Sequence, residues 1–528
     1  MQLPCGSPDH SSTVGCVGVC ILSLNPISSI TSSGTTITLS DAHTYATPGS
    51  YTATVTVTDQ GGGTATKTVT EVAQGPQAIT FAAIPDHTYG DAPFTISATG
   101  GGSGQPVTFT SSTPSVCSVS QPSSGVDSSG NGTGGGTVTI LAAGACTIAA
   151  DQAGTAIYTP APTISQSFTV HTAPLTITAD NQNTVYGQPL PPFTVTPSGL
   201  VNGDTLASLP GTLHVTTTAT QLSAPGPYTL TPSGLSSPNY TITYDTGTLT
   251  ISKDAGTVVL TANANPAPFG QPVVLTTTVG AAAPGSGTPS GIVTFLDGGT
   301  PIGTATLTNG QASLTTATLL GGSHNLTVSY AGDANFTGGT SAGLAQAITF
   351  SRTINGTANG PQTINAGESV LISGAVNGPL TIHAGASVSL VGAHVTGPLR
   401  ASGAGAVALC GSTVTGPVSI SGSTGFVLLG AGTDDVAVAC AANTFTGPLT
   451  LNGNQGGVEI EGNTVTGPLS LTNTTGAASN ADSATPEIEG NTIRGPLSCS
   501  GNTPAPTADG HPNTVIGPKS GQCAAPGM

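Results

Sequence analysis

The chain has 528 residues, more than one hydrophobic core ordinarily serves, so several domains are expected. Charged residues make up 5% of it and hydrophobic ones 36%, the reverse of the balance that keeps a chain disordered. Six Lys and Arg against 23 Asp and Glu give a formal charge of −17, which excludes phosphate-neutralising nucleic-acid binders and disfavours anionic membrane surfaces.

Residues 1–28 form no recognisable element. Residues 14–24 are a short apolar run, but no Lys or Arg precedes it and no convincing small-residue cleavage site follows. A signal peptide is therefore not evident, and a truncated N-terminus is the expectation. No stretch is long and apolar enough for a membrane span. Across the whole chain 75 glycines and 41 prolines punctuate short runs of Thr, Ser and Val that alternate with period two. Turn formers between β-branched runs, with no amphipathic helical stretch, predict an all-β chain.

From residue 29 the chain repeats itself. Three segments open alike, at Thr88-Tyr89-Gly90-Asp91, Val185-Tyr186-Gly187-Gln188-Pro189 and Pro268-Phe269-Gly270-Gln271-Pro272. Their aromatics are 97 and 83 residues apart, about one β-sandwich each. Each segment closes on a strand-like run: QSFTV, GTLTI or QAITF. A late element recurs as Ala153-Gly154-Thr155-Ala156-Ile157-Tyr158 and Ala331-Gly332-Asp333-Ala334-Asn335-Phe336, with Ser237-Pro238-Asn239-Tyr240 in its place between them. The boundaries read as 29–75, 76–172, 173–252 and 253–350, joined around Gly75-Pro76, Thr172-Ala173-Pro174 and Ser252-Lys253-Asp254.

These words carry resemblances. Residues 77–172 resemble a bacterial surface-protein Ig-like repeat through TYGDAPF, SVCSV and AAGACTI. Residues 173–252 resemble the MBG module through TVYGQ, GLVNGDT and SPNYTITYDTGTLTI, and 253–350 a bacterial Ig-like repeat through GIVTFLDGG, PIGTATLTNG and LTVSYAGDANF. Upstream, HTYATPGSYT and TVTVTDQGG are similar to the second half of a PKD domain. The turn expected in its first half is missing, so 29–75 is read as an incomplete PKD-like module. The resemblances imply tandem Ig-like sandwiches of a surface protein; such sandwiches serve many roles and name no activity.

None of the nine cysteines forms a Cys-x-x-Cys pair, so structural zinc is not indicated. Cys117 and Cys146 lie on strand-like runs of one module, an intra-sandwich disulfide that implies an oxidising compartment. Tyr45, Tyr89, Tyr186 and Phe269, one per module, read either as sandwich core plugs or as a carbohydrate-stacking set.

After residue 351 the period shortens. Gly-Pro recurs at Gly360, Gly378, Gly397, Gly416, Gly447, Gly467, Gly495 and Gly517, in steps of 18, 19, 19, 31, 20, 28 and 22. A rung near 19 residues with occasional longer ones predicts a β-solenoid over 351–528 with a C-terminal cap. One strand is expected after each Gly-Pro (LTI, VSI, LTL, LSL) and one before it (SVSLVG, VALCG, VEIEG). Asn443, Asn463, Asn491 and Asn513 stand four residues before their glycines, an asparagine ladder at a bend. Val395, Val414, Phe445, Val465, Ile493 and Val515 form an inward apolar column. Cys499 and Cys523 suit a disulfide stapling the end. Cys410 and Cys440, on adjacent rungs, read either as a staple or as free core thiols.

Three constellations on the rungs invite chemistry. Glu459 and Glu461 recur one rung on as Glu487 and Glu489, in the shared word EIEGNT. Alternation points both glutamates of each pair outward around Ile460 or Ile488, with Asp434 and Asp435 nearby. Such a cluster could hold Ca²⁺ or supply paired acids; the plainer expectation is a solvated acidic patch. A lyase would also need a basic partner, which makes the relation of Arg494 to Glu461 and Glu489 decisive. Thr413-Val414-Thr415, Thr444-Phe445-Thr446 and Thr464-Val465-Thr466 stack as a hydroxyl array resembling ice-binding faces. His383 and His394 lack a third ligand, and no nucleophile elbow, zinc-protease or phosphate-loop motif is present.

The expected protein is all-β: tandem immunoglobulin-like β-sandwiches followed by a β-solenoid. Its expected role is that of a secreted or cell-surface structural or adhesive protein without catalysis. It would be a monomeric rod contacting surface glycans or proteins, with Ca²⁺ at the glutamates as the one cofactor candidate. The alternatives are an exported polysaccharide-active enzyme with its site on the solenoid, and an ice-binding solenoid.

Overall fold

The computed structural model describes residues 2–4, 21–22, 29–33, 36–40, 47–58, 64–430, 440–476 and 484–528. It forms two compact units. One comprises Met1–Asp180, Phe193–Thr217 and Leu230–Gly247; the other comprises Asn181–Pro192, Thr218–Thr229 and Thr248–Met528.

In the first unit, Gly49–Thr58 and Thr64–Ala73 pair as an antiparallel hairpin. Residues 76–172 then build two four-stranded sheets. One runs Val107–Ser111, Gly144–Gln152, Ile164–His171, His87–Thr88; the other runs Cys117–Val126, Gly132–Ile140, Phe94–Thr99, Thr80–Phe81. Along Gly132–Ile140 every second residue is buried, the period-two signature of a sheet with one face in a core. A disulfide joins Cys117 of one sheet to Cys146 of the other, both side chains fully buried. Ala173–Ala179 follows without a spacer, pairing antiparallel with Val195–Ser198 and parallel with Tyr240–Asp245. Its Leu175 and Ile177 share a core cluster with Phe109, Ile148 and Val170 of the sandwich before it.

In the second unit, Asp254–Ala262, Val273–Ala281 and Gln311–Thr316 form one antiparallel run. Ile292–Asp297 lies between Thr300–Thr306 and Gly322–Gly332, and the latter also pairs with Leu344–Thr349. The chain then passes at residue 352 into three parallel sheets of seven, eight and eight strands. The first seven rungs cross all three, as in Ser387–Val391, His394–Val395 and Leu399–Ser402, and the last has strands in two. The rungs thus hold three strands where sequence alone suggested two. The bend between VEIEG and the Thr-x-Thr word divides one long run into strands of different sheets.

The stack is held from within and at its corners. Val376, Val395, Val414, Phe445, Val465 and Ile493 are wholly buried, with Val515 partly buried at the end of the column. At the Gly-Pro corner the proline carbonyl accepts from the strand one rung back, as Leu380 N–H to Pro398 O at 2.9 Å. Proline, which lacks the N–H, costs the ladder nothing there. Glycine is required beside it. A Cβ on Gly397, Gly416, Gly467 or Gly495 would lie 2.5–2.7 Å from the carbonyl carbon of the glycine one rung below.

The asparagines hydrogen-bond rung to rung. Ser412 N–H donates to Asn443 Oδ1, Asn443 to Asn463, Asn463 to Asn491, and Asn491 to Asn513. Their side-chain amides also donate to strand carbonyls one bend earlier, Leu409, Leu429, Ile460 and Ile488. A second ladder at another corner runs from Ser423 to Asn454 and from Thr474 through Asn502 to Gln522. Its mixture of residue types hid it in the sequence. Disulfides join Cys410 to Cys440 and Cys499 to Cys523, and Cys523 lies in the solenoid core.

Candidate functional surfaces

The three solenoid sheets present different outer faces. On the first, Ala406, Ala408, Cys410, Phe426 and Leu428 pack into the core of the preceding sandwich, beside Phe269, Phe295 and Ile348. That face is an internal interface. On the other two the outward side chains of the described strands are exposed or half-buried.

The glutamates lie on the covered sheet. Glu459 pairs with Glu487 and Glu461 with Glu489 in parallel register, opposite Ile460 and Ile488 in the solenoid core. Alternation therefore assigns their side of the strand correctly, but the expectation of a solvated patch fails. Glu459, Glu461 and Glu489 are 4%, 0% and 1% exposed, and Glu487 is half-buried. Strand periodicity reports which side a residue takes and not what covers that side. His511 Nδ1 stands 3.6 Å from Glu489 Oε2. Asp434 and Asp435 lie outside the described residues. Among the described residues no group of three or more His, Cys, Asp or Glu side chains is placed to hold a metal ion. Arg494 follows a strand of the second sheet and is exposed, so the basic group that a lyase needs does not share the glutamates' buried face.

The open second sheet carries the threonines. Parallel register places Thr413, Thr444, Thr464, Thr492 and Thr514 in one column over five successive rungs, two more than the Thr-x-Thr word indicated. A second column holds Thr396, Thr415, Thr446 and Thr466. Each of their hydroxyls donates to a backbone carbonyl of the rung below, at Val376, Val395, Val414 and Phe445. These four side chains therefore share one orientation. The third sheet continues the hydroxyl character through Thr381, Ser419, Thr450, Ser470 and Ser498, with Arg400 among them.

The aromatic set does not face solvent. Tyr89 and Phe269 are 7% and 3% exposed, and Tyr186 is half-buried with its ring edge-on to Phe336. They are not a stacking platform: Tyr89 and Phe269 belong to buried core clusters, at the ends of their modules. Tyr45 lies outside the described residues. One ionic site that motif reading missed is His324. Its Nδ1 donates to Asp297 Oδ2 at 2.6 Å and its Nε2 to Leu320 O at 2.7 Å. Both partners only accept, so both ring nitrogens carry protons. The Asp297 hydrogen bond is the main cause that raises the histidine above its ordinary value, with burial opposing it.

Fold and surfaces together define a repeat protein of Ig-like β-sandwiches continued by a parallel β-solenoid. Residues 175–250 match the family model of the MBG domain (YGX type), and residues 260–351 that of the bacterial Ig-like domain (group 3). No curated protein matches the chain. Among solved structures it is similar to the Escherichia coli adhesin FdeC, at 14% identity over 52% of this chain and 96% of that one, TM-score 0.20. It is also similar to the Yersinia pseudotuberculosis adhesin InvE, at 11% identity over 51% and 58%, TM-score 0.14. A third likeness is to the N-terminal eight Ig domains of Down syndrome cell adhesion molecule, at 12% identity, 65% of this chain and TM-score 0.19. The chain spans 47% of that structure's length. Scores this low carry no functional argument. Among the described residues no helix is long and apolar enough to cross a membrane.

Proposed function

We propose that the protein is an exported structural or adhesive surface protein in which the Ig-like modules carry the solenoid and its second and third sheets make the contact. The observation that carries this reading is the unequal treatment of the solenoid faces. One is sealed against the last sandwich, while the other two present ordered rows of threonine and serine with almost no charge. The bacterial Ig-like domains and the disulfides support an extracellular setting. A neutral hydroxyl surface suits a neutral, hydrogen-bonding partner such as an uncharged glycan. The reading is non-catalytic, since Arg494 and the glutamates do not converge.

The full chain screened against surface glycans, with and without Ca²⁺, tests the proposal. Binding should weaken at least several-fold in Thr415→Lys/Thr446→Lys, and Glu487→Gln should leave it unchanged. Turnover of any glycan, or binding indifferent to the threonine rows, would sink it.

The five-rung threonine column favours ice binding as a second reading. Thermal hysteresis in the full chain, abolished by Thr444→Lys, is its signature, and unmodified freezing removes it.

A further inference from the structure

The aromatic-glycine turns occupy one equivalent position in three modules. Thr88, Val185 and Pro268 each end a short strand paired in parallel with the module's last strand, opposite His171, Ser252 and Thr349. The next N–H donates to the carbonyl of that same residue: Tyr89 to His171 at 2.8 Å, Tyr186 to Ser252 and Phe269 to Thr349 both at 2.9 Å. The ring therefore stands where the chain leaves the module. At the leading end of the following module the late element recurs just as regularly. Tyr240 pairs in parallel with Ala173, and Phe336 with Asp254.

These two features meet. The rings of Tyr89 and Tyr240 are edge-on at 5.4 Å and 85°, and those of Tyr186 and Phe336 at 5.5 Å and 81°. Behind each aromatic the glycine holds a left-handed φ, +95° at Gly90, +80° at Gly187 and +78° at Gly270. A Cβ there would stand 2.5 Å from Val201 Cγ2, 2.2 Å from Ser286 O and 2.3 Å from Ser387 Oγ, all atoms of the next domain.

The chemistry of the contacts differs from joint to joint. The hydroxyls of Tyr89 and Tyr240 both donate to Asp204 Oδ2, at 3.0 and 2.8 Å, and Asp204 is the acid of the GLVNGDT word. At the second joint the Gly187 carbonyl accepts from Ser286 Oγ at 2.8 Å. At the third the aromatic has no hydroxyl: Phe269 shares an apolar core cluster with Ala406, Ala408 and Leu428, its ring lies 5.4 Å from Phe350 of its own module, and the glycine behind it is what stands against Ser387 and Ala406.

We infer that the aromatic-glycine turn is a plug and the leading end of the next domain its matched socket, so that neighbouring domains are coupled in a fixed order. The socket of the 173–252 module takes a tyrosine-glycine turn, because Asp204 needs the phenol. The solenoid takes phenylalanine-glycine, because a hydroxyl there would enter an apolar core cluster. This assignment concerns the partner each module end fits and does not depend on what the solenoid contacts.

Hydrogen exchange of the full chain tests it. Gly90→Val should raise exchange roughly tenfold or more at the amides of Tyr89 and Val201, while Phe94–Thr99 and Gly132–Ile140 keep their protection. Tyr89→Phe, which keeps the ring and removes the Asp204 bond, should raise the same amides roughly tenfold. Phe269→Tyr should loosen Phe269 and Ser387 in the same way. Unchanged exchange in Gly90→Val and Tyr89→Phe overturns the inference. So does protection lost evenly through either module, which would report general destabilisation and not an opened joint.

Discussion

Asn463 Oδ1 accepts two hydrogen bonds from Asn443 one rung away, from its backbone N–H at 2.9 Å and its side-chain amide at 3.0 Å. Both groups are buried, and Asn463 in turn caps the Leu429 carbonyl. Replacing Asn463 by leucine would strand the Asn443 N–H and the Leu429 carbonyl away from water. At about 1–3 kcal/mol for each buried unsatisfied group, the solenoid should lose about 2–6 kcal/mol. Urea unfolding of Asn463→Leu measures this. Thr446→Ala, on the exposed face, should stay within about 0.5 kcal/mol of the parent.

Phe445 is the largest side chain in an inward column otherwise made of Val and Ile, and it is fully buried. Phe445→Ala should open a cavity that the stacked backbone cannot close, at a cost of roughly 3–5 kcal/mol. Phe445→Leu, nearer in volume, should cost markedly less in the same denaturation experiment.

His324 supplies a pH dependence with a defined sign. Its folded-state value is raised above the ordinary 6.5 by the Asp297 hydrogen bond. The stabilisation is therefore fully present below about pH 6.5 and is lost as pH rises through the folded-state value. Thermal unfolding of the 253–350 module should occur at lower temperature at pH 9 than at pH 6. His324→Gln should flatten that difference.

The Cys117–Cys146 bridge closes 29 residues and ties two sheets of one sandwich. Replacing both cysteines by alanine should cost about 2–4 kcal/mol, and reductant should reproduce the loss in the parent protein. An unchanged melting profile under reductant would contradict the structural role assigned to the bridge.

What could be read from the chain depended on whether one residue type did one job. The Gly-Pro words and the asparagine ladder were legible because a corner that excludes Cβ, or needs a paired amide, admits few residues. The ladder through Ser423, Asn454, Thr474 and Asn502 was not, because any short polar side chain meets its geometry. Burial of Glu459, Glu461 and Glu489 escaped for another reason: alternation within a strand carries no record of a neighbouring layer. The aromatic turns were found as repeated words. Their meaning lies in contacts with residues 115 and 150 positions away, Asp204 and Phe336, which spacing does not reveal.

The parallel pairing at module ends has a mechanical side. In the 173–252 module the strand Gln182–Val185 runs beside the closing strand Gly247–Ser252 in the same direction, four residues against four. Tension that draws one strand forward and the other back loads those hydrogen bonds together in shear, where an antiparallel hairpin would release them one at a time from its open end. A chain built this way resists pulling at the places where its modules hand the load on.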